Sequence, residues 1–192
     1  FNLTQSSNNN YQPKLINSGA ILTTNGRASL DFDGTDDFFP FDETGLNLAD
    51  ISTFTVIKHD AFDATTKIVW VASFDTNNYY MLLITSSEHQ FYYSDDSDIS
   101  SNSISNDQFL VTNIAGPILG VATQFQNGVQ GDGSNPLDTS DFTDSADNGV
   151  MGSTFGAFFC NGHLQELIFY ADDKSPERQA IERDINAYYK IY

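Results

Sequence analysis

The sequence predicts an all-β protein, a jelly-roll sandwich of two antiparallel sheets with one C-terminal α-helix. Three observations lead there. Short apolar segments recur along most of the chain between Gly, Asn, Asp and Ser turn signals, the pattern of a many-stranded sandwich. Two of them, 67–74 and 79–85, are apolar at both strand parities, so both of their faces are covered and they belong in the middle of a sheet. The stretch 163–170 (HLQELIFY) is a strand of large apolar residues, followed by a helix with one apolar face. A single strand and helix cannot bury that surface alone; they close a larger sheet body.

From the N-terminus, residues 1–11 are polar and Asn/Ser-rich and read as an extended lead-in. Residues 12–16 start a short edge segment, with Asn17-Ser18-Gly19 as a turn. In 28–41 (ASLDFDGTDDFFPF), Leu30 and Phe32 alternate with Ser29, Asp31 and Asp33, giving a half-buried strand, an Asp-Gly turn and a second strand. Further strands are expected at 53–58, at 67–74 around Trp70, and at 79–85, 90–93, 109–114 and 118–125. Gln126-Asn127-Gly128 reads as a turn, and 131–149, rich in Asp, Ser and Gly, as a long loop. Residues 150–160 lead into the terminal strand. Ser175-Pro176-Glu177 has the chemistry of a helix start, with Ser as cap and Pro in the first turn. Ala180, Ile181, Ile185, Tyr188 and Tyr189 then share one helical face, which is expected to dock on the sandwich. The expected core between the sheets is Phe32, Phe54, Trp70, Leu82, Leu119 and Ile168.

At 192 residues and 40% hydrophobic, with 16 Phe and 9 Tyr, the chain can bury a substantial core and reads as one domain, 1–192. Its net charge of −18 excludes nucleic acid and anionic membrane surfaces as partners, because phosphate binding needs clustered Lys and Arg. Apolar runs fall short of a membrane span, so membrane insertion is not expected. The first residue is Phe1 rather than Met, which reads as the C-terminal part of a longer chain. The one cysteine, Cys160, excludes an internal disulfide, and beside Phe158 and Phe159 it is expected to be buried and inert.

The run Ala28-Ser29-Leu30-Asp31-Phe32-Asp33-Gly34-Thr35-Asp36-Asp37-Phe38 resembles the F-D-G-x-D-D opening of concanavalin A-like, laminin-G-type lectin/glucanase domains. The ending Asn161-Gly162-His163-Leu164-Gln165-Glu166-Leu167-Ile168-Phe169-Tyr170, with Arg178, Ile181, Glu182, Ile185, Asn186, Tyr188 and Tyr189, resembles the closing strand and helix of the same family. The lead-in Thr4-Gln5 to Gln12-Pro13 is similar to versions in tailed-phage and marine bacterial surface proteins. The resemblance implies a concanavalin A-like jelly-roll β-sandwich on a virion surface or outside the cell. Within that class it implies a non-catalytic glycan-binding or adhesion module. The alternatives are a purely structural virion domain, such as a capsid decoration or fibre, and a glycoside hydrolase.

A hydrolase needs two carboxylates about 5–9 Å apart across a cleft. Sandwich glucanases carry theirs as Glu-x-Asp-x-x-Glu on one strand, whereas the Glu-x-Asp here, Glu182-Arg183-Asp184, lies in the helix and lacks the last Glu. A distant similarity to the fungal arabinofuranosidase sandwich aligns Met151-Gly152-Ser153-Thr154 with that family's Gly-Asp-Asn, placing Ser153 where the acid stands. Serine cannot act as that acid. By strand parity Glu166 falls with Leu164, Ile168 and Tyr170, so it is expected to be a buried structural carboxylate paired with Arg27, Arg178 or a backbone N–H. Asp33, Asp36 and Asp37 offer hard oxygen ligands that admit calcium, as do the runs 95–98 and 132–147. The histidines at 59, 89 and 163 show no ligand spacing. For sugar contact, Asn77, Asn78, Tyr79, Tyr80, Gln90 and Tyr92 combine ring faces with amides at strand ends. The expected partners are a cell-surface glycan or sibling virion subunits, with room for homo-oligomerisation through the parent chain.

Overall fold

The computed structural model describes residues 11–41, 50–60, 66–73, 79–85, 87–93, 98–104, 107–116, 121–136, 149–152 and 158–192. The elements before the first long strand are β1 (Ile16–Asn17), β2 (Ala20–Ile21), β3 (Thr23–Thr24), β4 (Arg27–Ala28), β5 (Leu30–Asp33) and β6 (Phe39–Phe41). Then follow β7 (Ile51–His59), β8 (Lys67–Ser73), β9 (Tyr79–Ile84), β10 (Glu88–Tyr93), β11 (Asp98–Ser103) and β12 (Gln108–Gly116). The chain ends with β13 (Val121–Gln126), β14 (Val129–Pro136), β15 (Gly149–Met151), β16 (Asn161–Tyr170) and α1 (Arg178–Tyr189). Two six-stranded antiparallel sheets result, ordered β11-β10-β9-β8-β15-β6 and β14-β13-β12-β7-β16-β5, with two small hairpins, β1–β2 and β3–β4.

Strand parity sorts the apolar residues into layers. On β7, Ile51 and Ile57 face the gap between the sheets, together with Phe32, Trp70, Leu82 and Phe91. Phe54 and Val56 point the other way and meet Leu110, Ile185 and Tyr189 beneath α1. The outer face of the β8 sheet carries a third cluster, Ile68, Val71 and Leu83, which accounts for the apolar residues at both parities of β8 and β9. The Trp70 indole N–H reaches across the gap to Thr55 Oγ1 at 3.1 Å, so the largest core side chain is also satisfied.

Several expectations need correction. Phe54 and Ile168 pack under the helix rather than between the sheets, and Leu119 lies outside the described residues. The Asp-Gly turn does not make a hairpin: β5 belongs to the β7 sheet and β6 to the β8 sheet, so the chain crosses the sandwich there. The expected loop from 131 is strand as far as Pro136, and the polar strand β11 carried no apolar signal to reveal it. The 126–128 turn is as expected, with Asn127 and Gly128 both at positive φ, 51° and 80°, the geometry that suits twisted strands. Ser175 does not cap the helix. Its hydroxyl bonds Asp173 instead, and the helix begins after Glu177 without a side-chain cap. The helix ends at Lys190 in the left-handed region, φ 57°, and Asn186 Oδ1 accepts the N–H groups of Ile191 and Tyr192.

Candidate functional site

The residues expected to hold a sugar do not form one patch. Tyr80 is 0% exposed and its ring lies 5.9 Å from that of Phe91, inside the core, so it cannot stack on a sugar. The covering of β9 on both faces is the reason. Gln90 is half-buried on β10 between Leu83 and Ser100. Asn77 and Asn78 lie outside the described residues, as do the side chains of Tyr79 and Tyr92, whose strand positions pair with Ser73 and Met81.

What the fold does bring together is a groove of about 310 Å³ between β16 and α1, lined by Glu166, Tyr170, Asp184, Tyr188 and Tyr189 over a floor of Ile168. A β-bulge creates it. Leu164 pairs with Ile57 and Glu166 with Val56, so Gln165 is the extra residue and the parity of β16 reverses there. Leu164, Leu167 and Phe169 therefore face the sheet gap, while Ile168 and Tyr170 face the helix. Glu166 is half-buried on the groove and not in the core, which corrects the parity argument. Its partner is the Tyr189 hydroxyl at 2.7 Å. Burial, reinforced by the Glu166 carboxylate, pushes that phenol well above its ordinary pKa. The expected arginines are engaged elsewhere. Arg27 stacks 3.9 Å over the Tyr188 ring and donates to its carbonyl at 3.1 Å; Arg178 lies 3.8 Å over Phe125 and pairs with Glu182.

The groove thus offers an exposed ring, Tyr188 at 53%, and two carboxylates that can accept hydroxyl protons. On the sequence alone Tyr188 belongs to a packing face, and Asp184 to a helical Glu-x-Asp that lacks the last Glu of the glucanase motif. Their proximity to Glu166 depends on the bulge, which has no local signature. Ser153 lies outside the described residues. A second recess, about 450 Å³, opens where β5 and β6 part and is mostly apolar, lined by Leu30, Phe41, Met151, Leu164, Leu167 and Phe169 among others.

At the β5 end, the Asp33, Asp36 and Asp37 side chains offer oxygens within 4.8 Å of one another. Asp33 Oδ1 accepts the N–H of Thr35 at 2.8 Å, and Asp37 Oδ2 accepts the N–H of Asp33 at 2.9 Å. Asp37 is 3% exposed; burial raises its pKa, the Asp33 and Asp36 charges add to that, and the Asp33 N–H opposes it. Crowded hard oxygens fit a calcium ion, whose charge would relieve this repulsion. The runs 95–97 and 137–147 lie outside the described residues.

Two histidines that looked unrelated meet in the core. His59 on β7 and His89 on β10 join the two sheets through Nε2···Nε2 at 2.8 Å, and His89 Nδ1 lies 2.7 Å from Gln126 Oε1. Thirty residues separate them, and only the stacking of the sheets brings them together.

Two six-stranded antiparallel sheets in this order, with a C-terminal helix, make a concanavalin A-like jelly-roll sandwich. No family model and no curated protein matches the sequence. Among solved structures, NanB with Optactamide superposes with a TM-score of 0.63 at 14% identity, covering 80% of this chain but 27% of that one, so the chain spans only part of that relative. The Ruminococcus gnavus IT-sialidase CBM40 bound to α2,6 sialyllactose gives 0.64 at 14% identity, over 80% of this chain and 95% of that one. The native heptameric SAP-like pentraxin from Limulus polyphemus gives 0.59 at 17%, over 82% of each chain. Identities this low show the fold alone.

Proposed function

We propose that this chain is a non-catalytic glycan-binding or adhesion module, displayed outside the cell on a virion or bacterial surface. The observation that carries the proposal is the groove between β16 and α1. Arg27 covers one face of the half-exposed Tyr188 ring, and a sugar can lay its C–H face on the other while Glu166 and Asp184 accept its hydroxyl protons. A CBM40 of the same fold, solved with sialyllactose, supports the reading. Residues 1–192 would form one such domain, which could assemble with sibling subunits. The charge of −18 speaks against nucleic acid, and among the described residues no helix is long and apolar enough to cross a membrane. Asp33, Asp36 and Asp37 are the residues that would hold calcium, as a clamp on the turn between the sheets.

One observation favours a second reading. Glu166 and Asp184 share a groove, as the carboxylates of a glycosidase do. Against it, the Tyr189 hydroxyl already occupies Glu166, and the exposed Asp184 carboxylate pairs with Arg183 at 3.3 Å. A glycan array run with and without calcium tests binding, and Tyr188→Ala should remove about tenfold or more of the affinity for any sugar retained. Aryl-arabinosides and aryl-glucosides should release no aryl group above background. Turnover lost in Glu166→Gln with the fold intact would establish the glycosidase; no array signal would leave a structural virion domain as the better account.

A further inference from the structure

A second cluster lies on the outer face of the β7 sheet, away from the groove and distinct from the Asp33 turn. β16 pairs with β5 at His163↔Asp31 and with β7 at His163↔Lys58, and Asp60 follows the end of β7. One imidazole and two carboxylates from three chain segments therefore converge, with ligand atoms within 4.8 Å of one another. Gly162 fixes this approach, because a Cβ there would meet the Lys58 carbonyl oxygen at 2.3 Å.

The two ring nitrogens of His163 have different surroundings. Nε2 lies 2.9 Å from Asp60 Oδ2, so it carries the proton and donates it to that carboxylate. Asp60 is itself held by Lys58 Nζ at 3.6 Å. Nδ1 is then a lone pair, and it is buried without a hydrogen-bond partner. Asp31 Oδ1 lies 3.8 Å from it, too far for a hydrogen bond. Two lone-pair donors at that separation suit a shared ion, since zinc bonds to imidazole nitrogen and carboxylate oxygen are each about 2.0–2.2 Å long.

We propose that His163 Nδ1 and Asp31 are the protein ligands of a transition-metal site of the zinc class, with Asp60 orienting the imidazole from its far side. The order carboxylate, imidazole, metal is the one by which proteins fix a ligand histidine's tautomer and raise its basicity. The nitrogen donor selects zinc, cobalt or nickel over calcium, which takes oxygen. The side chains of His163, Asp31 and Asp60 are 19%, 29% and 38% exposed, so water can complete the coordination and the ion can exchange. A bound ion would pin edge strand β5 to β16.

The test uses the full chain, stripped with chelator, then titrated with zinc chloride by calorimetry and with cobalt chloride by visible absorption. One zinc equivalent and a cobalt ligand-field band are expected. His163→Gln and Asp31→Asn should abolish both, Asp60→Asn should weaken zinc by about 10–100-fold, and Asp172→Asn, in neither cluster, should leave it unchanged. Circular dichroism checks each variant's fold. If His163→Gln does not fold, the imidazole ¹⁵N shifts of the wild type decide: zinc must move His163 Nδ1. Absence of zinc binding, zinc binding unaltered in a folded His163→Gln, ¹⁵N shifts indifferent to zinc, or equal competition by calcium would overturn the site.

Discussion

His59 and His89 meet in the buried core, and the direction of each hydrogen bond follows from Gln126. The amide oxygen can only accept, so His89 Nδ1 carries a proton, its Nε2 is the acceptor, and His59 Nε2 is the donor. Both rings are neutral in this arrangement. Adding a proton to the pair would set N–H against N–H across 2.8 Å, out of reach of bulk solvent. Burial accordingly lowers both pKa values, His59 well below its usual range and His89 to about 4, with the His89 charge also opposing protonation of His59 and the Gln126 bond partly offsetting the shift at His89. A depressed histidine binds its proton more readily when unfolded. Stability from this pair is therefore present above about pH 6.5 and is lost as pH falls toward 4. His89 alone accounts for about 3 kcal/mol across that window. Asp37 acts in the opposite sense, because its raised pKa makes protonation favour the fold. Urea midpoints should hold from pH 8 to 7 and fall steadily from 6.5 to 4.5; a flat profile would show that the pair is hydrated. Cys160 supplies a simpler check. Burial pushes its thiol up to about 12, so it should resist alkylation until the protein unfolds. Its burial could be read from Phe158 and Phe159, whereas the histidine pair could not, since no local pattern links positions 59 and 89.

At the scale of elements, periodicity carried most of the reading and failed where the backbone breaks its own period. β7, β8, β9 and α1 could be read because long apolar runs and a one-faced helix leave few alternatives. β11 could not be read because its sequence, Asp98-Ile99-Ser100-Ser101-Asn102-Ser103, holds a single apolar residue and so shows no alternation. The β16 bulge was missed because it depends on Gln165 reaching backwards: its Nε2 donates to the Thr24 and Arg27 carbonyls at 3.0 and 3.1 Å. That side chain ties the bulge to the β3–β4 hairpin. Gln165→Ala removes these bonds, a longer one to the Ala28 carbonyl and the acceptor of Gln108 Nε2; it should cost about 1–3 kcal/mol and disturb the groove by loosening Glu166. The expected face of α1 docks only in part: Ile185 and Tyr189 are buried against Phe54, Val56 and Leu110, whereas Ala180 and Tyr188 stay exposed and Glu182, paired with Arg178, is buried in their place. Ile185→Ala should then destabilise the protein by about 2–4 kcal/mol in urea. A loss within error would mean that the helix contributes little to the fold.

For the molecule as a whole, the dominant electrostatic fact is 26 acidic residues against 8 Lys and Arg. That excess repels itself, so any cation should raise the melting temperature by screening, and the rise should follow ionic strength rather than ion identity. A specific calcium site makes a different prediction. An ion that binds only the folded state adds RT ln(1 + [L]/Kd), about 2.7 kcal/mol at a hundred times Kd, on top of screening. The Asp33, Asp36 and Asp37 oxygens provide the place: they are close, and the turn that carries them links the two sheets, so holding it stabilises both. Calcium should therefore raise the melting temperature beyond sodium chloride of equal ionic strength. In Asp33→Asn with Asp36→Asn that excess should vanish while the salt effect persists. Asp37 is left unaltered in this variant because its Oδ2 accepts the Asp33 N–H and its loss would disturb the turn itself. If calcium and sodium stabilise equally at matched ionic strength, the acidic turn is a solvated loop and the cluster holds no ion.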